Sequence, residues 1–253
     1  MSSYILCIFE GRSTEQNIAN NLCAHILNED DKVVLRASYG FNIYKLYEEI
    51  SKDEFFDSYE IIAEELRKRD GPLRQEEIDV LEIADATKIS DIYLFFDYDC
   101  HCSNADDEKL ADMIRTFNDP QDRGLLCVSY PMVEAIRHQN SHEYAEVLHS
   151  IEDLGNYKNW VKNNPELDRR YFNWGLFDLD IWSEISKQHL ARANYLVGDV
   201  LALPEYQLDQ ESIFNKQLEK HVPENRIAVI SAFPLMLFDY YGTRLMERLE
   251  VAE

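Results

Sequence analysis

Near its start the chain reads Tyr4-Ile5-Leu6-Cys7-Ile8-Phe9-Glu10-Gly11, an apolar run that ends abruptly in a carboxylate and a glycine. A second apolar run, Ile92-Tyr93-Leu94-Phe95-Phe96, ends in the same way at Asp97-Tyr98-Asp99. Neither run alternates with polar residues, which is typical of strands buried on both faces of a parallel sheet. Such sheets bind their ligands at the carboxyl ends of the strands, so the two runs predict an acidic site at that edge.

Three carboxylates are expected at this edge, those of Glu10, Asp97 and Asp99. Like charges gathered in one place repel one another unless a cation neutralises them. Oxygen ligands favour Mg²⁺ or Mn²⁺. Residues i and i+2 of an extended segment point to the same side, so we expect Asp97 and Asp99 to face one ion. The residues therefore predict a metal-dependent domain that acts on phosphodiesters.

The segment after Glu10 predicts a turn from a strand into a helix. Gly11 lets the backbone turn sharply, and Ser13 is a candidate N-cap with Gln16 completing a capping box. A helix is expected from about residue 15 to residue 27. The simpler interpretation is that the acidic residues of both motifs only cap a helix or form a solvated turn.

These motifs resemble those of the TOPRIM domain, and in particular those of RloB-like TOPRIM proteins. The resemblance covers residues 1 to about 140. Three segments carry it: Glu10-Gly11-Arg12-Ser13-Thr14-Glu15, Phe96-Asp97-Tyr98-Asp99-Cys100-His101, and Ser129-Tyr130-Pro131-Met132-Val133-Glu134. The chain departs from the family's third segment at two positions, with Tyr130 in place of Asn and Val133 in place of Phe.

The resemblance implies a TOPRIM-like (Rossmann-like) central parallel sheet flanked by helices. It also implies a nuclease in which Glu10, Asp97 and Asp99 hold Mg²⁺ (or Mn²⁺) and Glu10 assists proton transfer. Glu134 matches a further acidic residue of the family. Gly11, Glu15 and His101 complete the expected cofactor surroundings. On the residues alone, Glu134 equally suits the N-terminus of a helix, where a carboxylate complements the helix dipole.

Related small TOPRIM nucleases act in bacterial anti-phage defence, often beside an ATPase. The resemblance therefore implies nucleic acid, DNA or RNA, as the substrate, and an ATPase as a partner. Whether this chain can bind nucleic acid depends on its charge.

The net charge is strongly negative, −23, with 25 Lys and Arg against 48 Asp and Glu. Nucleic-acid-binding surfaces usually carry a basic stripe. Here the basic residues are few, with clusters at Arg67-Lys68-Arg69 and Arg169-Arg170. Such a chain binds duplex DNA poorly unless a partner supplies positive charge. We expect a basic partner protein, a narrowly chosen RNA substrate, or a site that is silent alone. An acid-rich host proteome would explain the charge without any function.

The composition bounds the class of protein. Hydrophobic residues make up 45% and aromatic residues 12%, which is typical of a globular chain. No apolar run approaches the roughly 20 residues that span a bilayer, and none suits a signal peptide. The five cysteines are scattered, and Cys7 and Cys127 lie in strand-like runs as small hydrophobes. These features predict a cytoplasmic protein with reduced thiols and leave its oligomeric state open.

The segment Cys100-His101-Cys102 raises the alternative of a zinc site, with His138 or His142 as further ligands. Structural zinc sites usually repeat such a pair elsewhere in the chain, and no second pair is present. The sequence instead favours His101 as a residue beside the acidic edge, contacting a phosphate or hydrogen-bonding to Asp99.

The predicted organisation is an α/β catalytic domain over residues 1–145, with a helical insertion at about 43–88 and a break at Asp70-Gly71-Pro72. Residues 146–253 are expected to form a mostly helical extension. Its predicted helices lie at 148–161, 176–193 and 210–221. A strand at 226–231 is expected to return to the sheet.

Two rival functions remain. A haloacid-dehalogenase-like phosphatase also places Asp-x-Asp after an apolar strand, and Asp97 would be its nucleophile. That motif usually continues to Thr or Val, whereas Cys100 follows here. A catalytically silent TOPRIM scaffold or sensor would suit the acidic surface, while the retained carboxylates argue against it. The pair Asp178 and Asp180 repeats the spacing in a helical context, so we interpret both as surface residues.

Overall fold

The structure is a computed structural model that describes residues 3–27, 32–139 and 144–249. The chain divides into two compact units. The first unit contains Met1–Phe96 and Asp106–Leu126, and the second contains Asp97–Ala105 and Cys127–Glu253. Within the described ranges, no helix is both long enough and apolar enough to cross a membrane.

A five-stranded sheet in the order β2-β1-β3-β5-β4 forms the centre of the α/β fold. Its strands are β1 (Ser3–Phe9), β2 (Lys32–Ser38), β3 (Ile89–Asp97), β4 (Asn118–Asp119) and β5 (Gly124–Ser129). β1 pairs in parallel with β2 on one side and with β3 on the other. The short β4 pairs antiparallel with β5. The predicted α/β class with a mostly parallel central sheet is confirmed.

The apolar runs behave as the pattern predicts. Ile5 to Phe9 of β1 are all buried, as are Asp91 to Phe96 of β3. Their side chains point alternately to the two faces, so burial of every residue means that both faces are covered. The buried charge at Asp91 is paired with Lys32 of β2, whose Nζ lies 3.0 Å from Asp91 Oδ2.

Helices flank the sheet in the first unit. They are α1 (Thr14–His25), α2 (Ile43–Ile50), α3 (Ser58–Lys68), α4 (Gln75–Leu81) and α5 (Asp107–Thr116). The predicted helical insertion at 43–88 therefore contains three α-helices and a short 3₁₀ helix, and the turn signal at 70–72 separates α3 from α4. Helices α1 and α4 pack against β2, while α2 packs against α5.

The second unit is mostly helical and contains a two-stranded sheet. Its helices are α6 (Tyr157–Asn163), α7 (Leu179–Gly198), α8 (Gln210–Lys216), α9 (Ala232–Tyr241) and α10 (Leu245–Leu249). Its strands are β6 (Leu148–Ser150) and β7 (Arg226–Ala228), which pair antiparallel. The predicted helices at 176–193 and 210–221 correspond to α7 and to α8 with the π-helical turn that follows it.

Two segments of the second unit differ from the sequence prediction. The predicted helix at 148–161 begins only at Tyr157, because Leu148 to Ser150 are held in β6 by hydrogen bonding to β7. The strand expected at 226–231 pairs with β6 and not with the five-stranded sheet. Its link toward β5 is one antiparallel bridge, in which Tyr130 and Ile230 exchange backbone hydrogen bonds of 2.8 and 2.9 Å.

Gly124 is a point of close approach inside the first unit. Its φ is +115°, a backbone conformation that L side chains rarely adopt. A Cβ at this position would lie 2.6 Å from Leu94 Cδ1 and 3.0 Å from Ile92 Cγ2. The start of β5 therefore depends on the absence of a side chain.

We expect Gly124→Ala to lower the free energy of unfolding by about 2–4 kcal/mol. The added methyl group must displace β3 side chains, and alanine is strained at the positive φ of this position. Urea unfolding followed by circular dichroism measures the change. Gly198→Ala, at the end of α7 with nothing within 4 Å of the added Cβ, is the matched control. The control should be neutral or up to about 1 kcal/mol more stable. Equal stability of the two variants would contradict the packing at Gly124.

Candidate functional site

Glu10 follows β1 directly and continues the hydrogen bonding of the sheet. Its N–H donates to the carbonyl of Phe95 at 3.0 Å, and its own carbonyl accepts from Gly40 N–H at 2.9 Å. The N–H of Tyr39 likewise donates to the Phe9 carbonyl at 2.7 Å. Both neighbouring strands therefore fix the backbone of Glu10, and the residue is half-buried.

Glu15 closes the turn after Glu10. Its Oε1 accepts a hydrogen bond of 3.2 Å from Gly11 N–H, and the side chain is buried. A Cβ on Gly11 would lie 2.7 Å from Glu15 Oε2, so any larger residue would displace this carboxylate. Gly11 and Glu15 therefore contact each other, and the Glu15 carboxylate stabilises the turn.

The predicted capping box at Ser13 is wrong. The Ser13 side chain makes no capping hydrogen bond, and its φ and ψ of −131° and −54° are not those of an extended N-cap residue. The partner expected for it, Gln16, is engaged elsewhere, because its Oε1 accepts from Arg74 Nη1. A contact between distant segments therefore replaces the local one.

The second motif changes direction at Asp99. β3 ends at Asp97, and the buried Tyr98 donates its N–H to the Ser129 carbonyl at 3.0 Å. Asp99 has a φ of 41°, in the left-handed region that Asp tolerates better than most residues. The i, i+2 argument requires an extended segment, and the segment is not extended at Asp99. Strand geometry therefore does not support the expectation that Asp97 and Asp99 face one ion, and that expectation stays a prediction.

Asp99 organises the loop that follows. Its Oδ2 accepts from Cys102 Sγ at 3.2 Å, and its carbonyl accepts from Cys102 N–H at 2.9 Å. The exposed His101 lies farther away, with Nδ1 3.8 Å from Asp99 Oδ1. That distance is too long for the hydrogen bond that the sequence suggested. His142, one ligand of the alternative zinc site, lies outside the described residues.

Glu134 lies in the short 3₁₀ helix Val133–Arg137 and is only 2% exposed. Lys158 Nζ lies 3.3 Å from Glu134 Oε1, while that oxygen accepts no hydrogen bond from any described residue. Glu134 lies in the first turn of this helix, as the sequence predicts, where a carboxylate complements the helix dipole. It is also a buried carboxylate beside Lys158, and nothing in the sequence near Lys158 indicates this pairing.

Several charged groups of the second unit act on the hydroxyl of Tyr157. Its buried hydroxyl lies 3.0 Å from His138 Nδ1. Burial raises the pKa of Tyr157 well above its ordinary value, Arg192 opposes that rise, and the negative charges of Glu134 and Asp97 add to it. Asp97 and Glu134 thus both act on one buried hydroxyl, although they come from different segments of the chain.

An imidazole and aromatic cluster surrounds this hydroxyl. The ring centroid of His149 lies 4.7 Å from that of Tyr157 and 4.8 Å from that of Trp160, and His138 also lies 4.8 Å from Trp160. Burial lowers the pKa of His138 to about 3, with further contributions from Arg192 and His149. Burial also lowers the pKa of His149. Both imidazoles are therefore neutral near pH 7.

Arg192 is a buried cation next to His138 of this cluster. It donates to Gln139 Oε1 at 2.8 Å and to the Ala145 carbonyl at 3.2 Å. Gln139 Nε2 in turn lies 2.6 Å from His189 Nε2. Burial lowers the pKa of Arg192 to about 10. Amide and carbonyl oxygens are its hydrogen-bond acceptors among the described residues, and they fix the position of α7.

The donor chemistry of the acidic residues suits a magnesium ion. Within the part of the chain that the structure describes, no three His, Cys, Asp or Glu side chains are placed to hold one metal ion. Mg²⁺ usually keeps several waters and binds through one or two carboxylates. The Glu134 oxygen that lacks a hydrogen bond is the type of donor that such an ion uses. The described residues therefore do not form a protein-only cage for a metal ion.

Comparison with protein-family models, with curated proteins and with solved structures finds no match to this chain. The resemblance to TOPRIM proteins rests on the three motif segments alone.

We expect the second unit to lose stability on mild acidification. The unfolded chain takes up a proton on His138 below a pKa near 6.5, whereas the folded chain does not until about pH 3. The free energy of unfolding should therefore fall by about 1.4 kcal/mol between pH 7.5 and 5.5 from His138 alone. Urea unfolding at both pH values should show this loss reduced in His138→Gln. The exposed His101→Gln is the control, and equal pH dependence in His138→Gln and wild type would contradict the prediction.

Proposed function

We propose that the chain is a Mg²⁺- or Mn²⁺-dependent phosphodiesterase of the TOPRIM nuclease type that acts on nucleic acid. One observation carries the proposal: the strand order β2-β1-β3, with all three strands parallel. The chain leaves β1 toward β2 and returns on the other side at β3. Open α/β sheets bind ligands at such a reversal, outside the carboxyl ends of the strands. Glu10 follows β1, and Asp97 is the last residue of β3.

The roles of the residues follow from their surroundings. Asp97, Asp99 and Glu10 are the proposed metal ligands, with Glu134 as a further carboxylate. A bound divalent ion would polarise the phosphoryl oxygen and lower the pKa of a water molecule. Glu10 is half-exposed and can accept the proton of an attacking water.

Lys158 gives the proposed site a cation of its own. Its exposed stem reaches the buried Glu134, whose charge it compensates. An ammonium group beside Glu134 can also stabilise negative charge that develops on a phosphoryl group. We therefore add Lys158 to the residues proposed from the sequence.

The charge of the chain restricts how it meets its substrate. At −23, long-range repulsion slows the encounter with polyanions. We propose that a basic partner protein or an ATPase completes the active assembly. Anti-phage defence in the cytoplasm is the proposed setting, by resemblance to RloB-like proteins.

A catalytically silent scaffold or sensor is the second candidate function. It is favoured by the side-chain positions, because Asp99 is occupied by Cys102 and Glu134 by Lys158. In a scaffold these pairs would be permanent, whereas in an enzyme they must open for metal and substrate. Metal binding therefore separates the two functions.

Millimolar Mn²⁺ should raise the melting temperature of the wild-type chain, because an ion that binds only the folded state stabilises it by about 2.7 kcal/mol at a hundred times its Kd. Asp97→Asn should lose this gain and be at least as stable as wild type in EDTA. Asp180→Asn is the matched control, since it removes the same charge from an exposed helical position. A wild-type response to Mn²⁺ in Asp97→Asn would exclude Asp97 as a ligand.

With Mn²⁺ and a basic partner present, the chain should cleave DNA or RNA, and Glu10→Gln should reduce the rate by about 10²–10⁴-fold. The exposed Glu54→Gln is the control. Activity of the chain alone should be weak and should depend less steeply on salt than that of a basic nuclease. Tight duplex binding by the lone chain that falls steeply with salt would contradict the partner requirement. Hydrolysis of a small phosphomonoester alone would favour the haloacid-dehalogenase-like phosphatase.

A further inference from the structure

A group of arginines lies at the carboxyl ends of β1 and β2 in the first unit. A Cβ built on Gly40 would lie 3.4 Å from Arg69 Nη2 and 3.7 Å from Arg12 Nε, so both guanidinium groups flank this glycine. A third guanidinium, that of Arg74, donates to Gln16 in the first turn of α1. Three cations are thus concentrated beside the Glu10 turn of a strongly acidic chain.

The three arginines differ in what they already bind. The side chain of Arg69 is 8% exposed, pairs with Glu77 and donates Nη2 to the carbonyls of Ser38 and Tyr39, at 2.5 and 3.2 Å. Its role is to hold the end of β2. Arg12, by contrast, is exposed and has no acidic partner among the described residues. Its guanidinium is available to an anion from solution.

An exposed aromatic ring adjoins the arginines. Phe41 follows Gly40 and is 50% exposed, and its ring packs edge-on against the buried Tyr39 with centroids 5.7 Å apart. Tyr39 thus supports one side of the ring while the other meets solvent. Nucleic-acid-binding surfaces combine these two features, aromatic rings that stack on bases and cations that contact phosphates.

Backbone hydrogen bonds tie this loop to the candidate site. The N–H of Gly40 donates to the Glu10 carbonyl at 2.9 Å, and the N–H of Tyr39 donates to the Phe9 carbonyl at 2.7 Å. Gly40 places no side chain between the guanidinium groups of Arg12 and Arg69. A nucleic-acid strand bound at this loop would lie directly beside Glu10.

We propose that Arg12, Arg74 and Phe41 form a contact surface for single-stranded nucleic acid, in which Phe41 stacks on a base and the arginines contact phosphates. A single strand fits better than a duplex, because the bases of a duplex are already stacked and its higher charge density is repelled more strongly by a chain of −23. The assignment specifies the substrate class of the proposed nuclease and rests on that function, but binding itself needs no metal.

Fluorescence anisotropy with a labelled single-stranded oligonucleotide, in EDTA and at low salt, tests the surface without catalysis. Phe41→Ala should weaken binding about tenfold or more, as loss of one stacked base does. Arg12→Gln should weaken it several-fold and reduce the salt dependence by roughly one phosphate contact. A duplex of the same sequence should bind more weakly than the single strand.

Two matched controls come from the same unit. Phe55 is 86% exposed and Arg67 is exposed and paired with Glu60, so Phe55→Ala and Arg67→Gln make the same chemical changes elsewhere. Both controls should bind as wild type does. Failure of the wild type to bind any single strand, or equal weakening by the controls, would overturn the proposal. Phe41-dependent binding without any nuclease activity would support the proposed binding surface and would contradict only the proposed nuclease function.

Discussion

The position of β1 between two parallel neighbours is the constraint on which the candidate site depends. Its backbone hydrogen-bonds to β2 and β3, and its side chains are buried on both faces. Parallel pairing brings the carboxyl ends of these strands to one edge of the sheet, and the ladder continues one residue past β1 to fix Glu10. A slip of one residue would turn every side chain of β1 to the opposite face, so the buried register also fixes the acidic turn.

The second unit contributes buried charges that are costly without partners. Glu134 is compensated by Lys158, and Arg192 by amide and carbonyl oxygens. The negative charges of Asp97 and Glu134 raise the pKa of the Tyr157 hydroxyl, and neutral imidazoles lie beside it. Proteins retain buried networks of this kind for specificity or function, and this network includes Glu134, one of the carboxylates of the proposed site.

The sequence predicted the features that short-range pattern encodes. Unbroken apolar runs predicted the strands, and helical spacing interrupted by a Gly-Pro turn predicted the helical insertion. The pairing of Lys158 with Glu134 was missed because it joins two separate elements and leaves no local pattern. The predicted capping box was wrong because Arg74 takes the Gln16 oxygen, and the extended geometry assumed from Asp97 to Asp99 was wrong because the backbone is left-handed at Asp99. Long-range contacts decided the first two of these outcomes, and a local change of backbone conformation decided the third.

The central claim is that the carboxylates after β1 and β3 hold a divalent cation. Crystals grown with Mn²⁺ test it most directly, since anomalous scattering locates the ion without reference to activity. The account predicts a Mn²⁺ peak with Asp97 oxygen in the first coordination sphere, at roughly 2.0–2.3 Å, and with water molecules completing the shell. A fully occupied Mn²⁺ elsewhere, or no ion at Asp97 under conditions in which Mn²⁺ stabilises the protein, would contradict the account.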